Sequence, residues 1–127
     1  MKSCNNIQVL LHCVSLYPCP IEKLNLGTIP YLREKYPGVR IGFSDHSMGT
    51  KAAVFACEKM GATIVEKHFT LDRQAYGPDQ HMSATTEELK ELAGKLEDVT
   101  LEKYAVGVFG KIIQPEEKAH HEKFRTA

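Results

Sequence analysis

Residues 39–70 read VRIGFSDHSMGTKAAVFACEKMGATIVEKHFT. An apolar run, Val39 to Phe43, predicts a buried strand. Ser44-Asp45-His46-Ser47 leaves it. Gly49 to Met60 predicts a helix with Ala53, Ala56, Cys57 and Met60 on one face, and Gly61 stops it. Thr63-Ile64-Val65 predicts a second strand, β-branched throughout. It runs into Glu66-Lys67-His68-Phe69-Thr70. A strand, a helix and a strand joined by short turns imply parallel neighbours with both sheet faces covered.

The same alternation extends outward. Ile7 to Cys13 predicts an earlier strand, and Pro18 and Pro20 forbid its continuation. Leu24, Ile29, Leu32 and Tyr36 recur at near-helical spacing, with Pro30 marking a kink or the true start and Pro37-Gly38 the end. After a polar loop from Asp72 to Ser83, Thr85 and Glu88 form a capping box. Leu89, Leu92 and Leu96 mark that helix's buried face, and Glu91 with Lys95 a favourable pair on its exposed side. The order β-α-β-α-β-α predicts an α/β fold. It is either a doubly wound sheet or part of a (β/α)8 TIM barrel. A complete barrel needs roughly 250 residues, so 127 residues hold about three βα units, a half-barrel. The absence of G-x-G-x-x-G after any strand weakens the dinucleotide-binding option.

Composition narrows the function classes. Sixteen Lys plus Arg balance sixteen Asp plus Glu, so bulk charge gives no support to nucleic-acid binding. Val9-Leu10-Leu11 is too short for a signal core or a membrane span. The cysteines at 4, 13, 19 and 57 form no C-x-x-C pair and read as reduced thiols of a cytoplasmic protein.

Functional residues of parallel α/β folds gather at the C-terminal strand ends. Three polar clusters stand there: His12 to Pro18, Ser44-Asp45-His46, and Glu66 to Thr70. Adjacent strands lie about 4.8 Å apart, so His46 and His68 can converge. Two imidazoles suit Mn2+, Fe2+ or Zn2+, with Asp45 and Glu66 orienting the rings. The plainer reading is that each histidine bonds locally at its strand end. Ser15, Ser44 and Thr70, with Lys67, are candidates for holding an oxyanion, or for satisfying loop backbone. Lys67 can equally point to the opposite face. Tyr17 is a stacking or packing residue, and Asp79 a sugar-hydroxyl acceptor or a plain turn residue. His12 reads as core. His81, His120 and His121 read as solvated.

The segment from Leu10 to Pro20 (LLHCVSLYPCP) resembles the sialic acid synthase family, as do GFSDHSMG at 42–49 and GATIVEKHFTLD at 61–72 followed by Gly77-Pro78-Asp79. The three occur in the family's order and approximate spacing. The resemblance implies a (β/α)8 barrel that condenses phosphoenolpyruvate with an N-acylated amino sugar, typically N-acetylmannosamine, and releases phosphate. It implies a divalent metal, most often Mn2+ with Mg2+ as the alternative, on His46 and His68. It matches Ser15 and Ser44 to contacts of phosphoenolpyruvate, Tyr17 and Asp79 to the sugar side, and Glu66 to an acidic position near the metal. His46, His68 and Glu66 are thus the expected catalytic group. Only the last three βα units match. Residues 1–110 are therefore expected to be the C-terminal part of a synthase barrel, and 111–127 a charged tail leading toward an absent antifreeze-like domain. Such a fragment is expected to be inactive alone and to self-associate or seek a complementary barrel half. The alternatives are a non-catalytic metal- or sugar-binding half-domain, and an assembly subunit that completes a split barrel. No nucleic-acid or membrane partner is expected.

Overall fold

The computed structural model describes residues 7–94 and 110–118. Three parallel strands, β1 (Val9–Cys13), β2 (Arg40–Asp45) and β3 (Val65–Lys67), lie in that order. Helix α1 (Thr28–Lys35) joins the first two and α2 (Lys51–Glu58) the second two, and both pack on β2. Helix α3 (Thr86–Gly94) follows the long loop. The α/β alternation and the parallel sheet expected from the sequence are present.

The core occupies one face of the sheet. Ile41 and Phe43 of β2 are fully buried there against Val14, Leu24, Leu26 and Ile29. Ala52 and Ala56 face the same cluster, and their small side chains let α2 lie close on the strand. On the opposite face the packing is tighter still. A Cβ on Gly42 would lie 2.5 Å from the Ile64 carbonyl oxygen and 2.6 Å from Leu11 Cδ2, so only glycine fits. Gly61 ends the α2 segment with φ +78°, a conformation that glycine adopts without strain.

Several boundaries differ from the sequence expectation. Strand β2 continues through Ser44 and Asp45, which were expected to leave it. Strand β3 runs over Val65–Lys67 rather than Thr63–Val65. Both shifts have one cause: Ser44 pairs with Glu66 and Asp45 with Lys67, so side-chain bonds carry the ladder past the apolar residues. The α1 pattern is also shorter than expected. Leu24 follows a 3-10 turn (Ile21–Lys23), and Asn25 at φ +46° separates it from the helix. Pro30 sits in the first turn of α1, where its missing N–H costs nothing.

The capping box forms. Thr85 N donates to Glu88 Oε2 (2.9 Å) and Glu88 N to Thr85 Oγ1 (3.3 Å). Leu89 and Leu92 are half-buried rather than buried. Lys95, Leu96, His120 and His121 lie outside the described residues. The segment expected as a charged tail packs against β1 over residues 110–118, with Glu117 buried. Among the described residues, no helix is long and apolar enough to cross a membrane.

His12 is a core residue, as expected. It is 2% exposed, its Nε2 donates to the Leu24 carbonyl (2.7 Å), and its ring stacks on Phe43. Among the described residues, no group hydrogen-bonds its buried Nδ1. Burial lowers the His12 pKa from 6.5 to about 4. The unfolded chain therefore binds more protons than the folded one between these values, and stability falls as pH drops through that window. The loss amounts to about 3 kcal/mol on going from pH 7 to below pH 4. Urea unfolding at pH 7.0 and pH 4.5, compared with His12→Leu, checks this. The substitution should remove most of the pH slope over that interval.

Candidate functional site

The strand register builds the site. Cys13, Ser44 and Glu66 stand opposite one another at the C-terminal ends of β1, β2 and β3. Side chains alternate along a strand, so the residues two positions on, Ser15, His46 and His68, follow over the same end of the sheet. Ser44 Oγ donates to Glu66 Oε1 (2.6 Å), which closes the row.

His46 and His68 come together. Their ring centroids are 5.3 Å apart in an edge-to-face arrangement. The Tyr17 ring lies over His46 (4.2 Å) and at the edge of His68 (6.0 Å). His46 is 5% exposed, and its Nδ1 donates to the Val14 carbonyl (2.7 Å). Cys13 Sγ lies 3.9 Å from the same nitrogen. With Nδ1 committed as a donor, the neutral ring presents its lone pair at Nε2. On His68 the corresponding Nδ1 lies 3.6 Å from Asp79 Oδ2. The chain beyond β3 is fixed there by the loop: Ala84 N donates to His68 O (2.7 Å) and Thr70 N to Ala84 O (2.9 Å). Burial raises the Tyr17 phenol pKa, with the Cys13 and Asp79 charges adding to it.

His46, His68, Tyr17 and Asp79 thus form one group in contact, and the Ser44–Glu66 pair stands in the row of strand residues before it. Ser15 borders it by sequence, but its backbone N–H is taken by Glu117. Asp45 and Lys67 do not belong to it. They face the other side of the sheet, where Lys67 Nζ bonds Asp45 Oδ2 (3.0 Å) and the Ser47 carbonyl (2.7 Å). The ion pair is almost fully buried, and Asp45 Oδ1 also accepts from Ser47 N and Oγ. Asp45 therefore orients a lysine and a serine, not an imidazole. Glu66 likewise bonds Ser44 and not a ring. The Thr70 hydroxyl is used inside the loop, donating to the Asp72 carbonyl (2.9 Å). His81 is exposed in a 3-10 turn (Gln80–Met82). Glu117 was missed: it lies 102 residues from Ser15, in a charged stretch without a motif.

The two imidazoles, with ring centroids 5.3 Å apart, are the residues here that could hold a metal ion. The donor set suits a divalent metal held by imidazole on one side and open on the other. Among the described residues, no group of three or more His, Cys, Asp or Glu side chains is placed to hold an ion. The thiols offer little competition. Cys13, Cys19 and Cys57 are free, and burial raises all three pKa values, that of Cys19 to about 12.

Residues 1–106 match the NeuB family. The chain belongs to that family. It is 43% identical over 88 residues to the spore coat polysaccharide biosynthesis protein SpsE of Bacillus subtilis, covering 69% of this chain and 24% of that protein. It is 38% identical over 97 residues to the N,N'-diacetyllegionaminic acid synthase of Legionella pneumophila, covering 76% of this chain and 27% of the relative. The crystal structure of the Bacillus subtilis SpsE protein superposes with a TM-score of 0.73 at 34% identity, over 86% of this chain and 33% of that one. The crystal structure of an N-acetylneuraminic acid synthetase from Leptospira borgpetersenii gives 0.65 at 36% identity, over 93% and 40%. The chain spans about a quarter of the length of these curated relatives.

Lys67 is a structural cation in this arrangement. Replacing it with methionine leaves the Asp45 carboxylate buried without its counter-charge, at a cost of about 3 kcal/mol or more. Urea unfolding of Lys67→Met checks the loss. A change under about 0.5 kcal/mol, typical of a surface substitution, would mean that the pair is not buried in solution.

Proposed function

We propose that this chain supplies the C-terminal half of a (β/α)8 synthase barrel, about three βα units of it. The whole barrel condenses phosphoenolpyruvate with N-acetylmannosamine or a related N-acylated amino sugar, and releases phosphate. The observation that carries the reading is the convergence of His46, His68 and Tyr17 beside the Ser44–Glu66 pair at one end of a parallel sheet. Membership of the NeuB family supports it, and so do relatives named as legionaminic acid and N-acetylneuraminate-9-phosphate synthases.

In this reading His46 and His68 hold a divalent ion, Mn2+ or Mg2+, through the nitrogens that their Nδ1 contacts leave available. The bound ion supplies Lewis-acid polarisation of the open-chain sugar aldehyde. Tyr17 and Asp79 line the sugar side. Tyr17 offers a flat apolar surface beside both rings, and Asp79 an acceptor for a sugar hydroxyl. Ser15 and Ser44 contact phosphoenolpyruvate: the Ser15 hydroxyl donates to an anionic oxygen, while that of Ser44 is already given to Glu66.

The enol carbon of phosphoenolpyruvate bonds to the aldehyde carbon, whose oxygen takes a proton. Water then adds to the phosphate-bearing carbon. The resulting tetrahedral centre expels phosphate and becomes the keto group. Glu66, held by Ser44, is the acid–base group nearest these transfers. Three strands cannot enclose the substrates, so the reading includes association with the remainder of a barrel, and a cytoplasmic setting.

Phosphate release from phosphoenolpyruvate and N-acetylmannosamine with Mn2+ tests this. The chain should be inactive alone and active when mixed with the N-terminal barrel part of the SpsE relative. His46→Ala or His68→Ala should each lower that activity roughly 100-fold or more. A mixture that associates but releases no phosphate would overturn the reading, as would turnover insensitive to both substitutions.

A further inference from the structure

Residues 110–118 lie against the outer edge of β1, the edge away from β2. Arg40 N donates to the Gln8 carbonyl (3.1 Å). Even-numbered residues of β1 therefore turn their peptide groups toward β2, and odd-numbered residues turn theirs outward. At the site end of the strand the outward groups are the Cys13 carbonyl and the Ser15 N–H. Both are occupied by side chains. Lys111 Nζ donates to Cys13 O (2.8 Å), and Glu117 Oε1 accepts from Ser15 N (2.9 Å). One residue of a neighbouring parallel strand would make the same two bonds with its own N–H and C=O. The two side chains lie 3.5 Å apart and together take its place.

The attachment is built rather than incidental. Glu117 is 1% exposed, and its Oε2 accepts from Gln114 N (2.8 Å). Burial opposes its charge, but the Ser15 and Gln114 N–H groups and Lys111 outweigh that, and its carboxyl pKa is lowered. The start of the segment is tied separately. Gly110 O accepts from Asn25 Nδ2 (2.7 Å) and Thr28 Oγ1 (2.9 Å). Lys23 pairs with Glu116. Beside the same strand, a cavity of about 340 Å3 bounded by Leu10, Leu11, His12, Tyr36, Lys111 and Glu117 remains open. The capping is concentrated where Ser15 begins the turn that carries Tyr17 to His46.

We propose that Glu117, with Lys111, is a positioning residue for the candidate site. By standing in for one residue of a neighbouring strand, the pair fixes the Ser15–Tyr17 turn and so holds the Tyr17 ring against His46. This deepens the synthase reading and rests on it for its functional meaning. The structural claim has its own readouts.

Amide hydrogen exchange and ring-to-ring NMR contacts on the whole chain test it. In Glu117→Ala, the Ser15 amide should exchange at least about tenfold faster, the gain expected when a hydrogen bond of about 1.4 kcal/mol is lost. The Tyr17–His46 ring contact should weaken with it. The Phe43 amide, bonded to Ile64 O (2.9 Å), should keep its protection and report an intact sheet. Glu117→Gln retains an acceptor oxygen and should restore most of both signals. If Glu117→Ala does not fold, Lys111→Met decides, with the same two changes expected at smaller size. Unchanged Ser15 exchange and an unchanged ring contact in the folded variant would overturn the proposal. Failure of the condensation assay would leave these signals untouched, so the two failures are distinguishable.

Discussion

The parallel register of the three strands is the constraint on which the site depends. It puts Cys13, Ser44 and Glu66 in one row, and the chain two residues further on delivers His46 and His68 to the same end. A slip of one residue would turn every side chain of a strand to the opposite face. Asp45 would then stand where Ser44 stands, and the Lys67 ammonium where Glu66 does. Gly42 guards against such a slip, because the space between Leu11 and Ile64 admits no side chain there.

A buried ion pair on the reverse face reinforces the same register. Asp45 and Lys67 are partners across β2 and β3, and they bond each other as well as Ser47. Burying two charges is costly unless each is fully engaged, and here Asp45 has three bonds and Lys67 at least two. The pair extends β3 past its apolar residues and so sets the height at which His68 emerges. The reactive-looking lysine and aspartate thus serve geometry, while their neighbours Ser44 and Glu66 face the candidate site.

Much of this was legible in the sequence, for identifiable reasons. Apolar runs separated by helical spacing gave the parallel order. The capping box at Thr85 and Glu88 and the core role of His12 were readable because each depends on local pattern. The strand-end rule brought His46 and His68 together. The ends of β2 and β3 were not readable from apolarity, since polar pairs extend them. The assignment of Asp45 needed the two-residue alternation that places it opposite Ser44. Glu117 was hidden for a different reason. A lone carboxylate in a run of charges carries no sign that it is buried, and its partner Ser15 is remote in sequence.

We propose that His46 and His68 form one metal-holding pair at the strand ends. Paramagnetic line broadening of the histidine ring signals on titration with Mn2+ tests it most directly. The His46 and His68 signals should broaden together, ahead of those of His12 and His81, and either His46→Ala or His68→Ala should abolish the effect at the remaining ring. Broadening that follows solvent exposure, with His81 first and the pair unaffected, would contradict it.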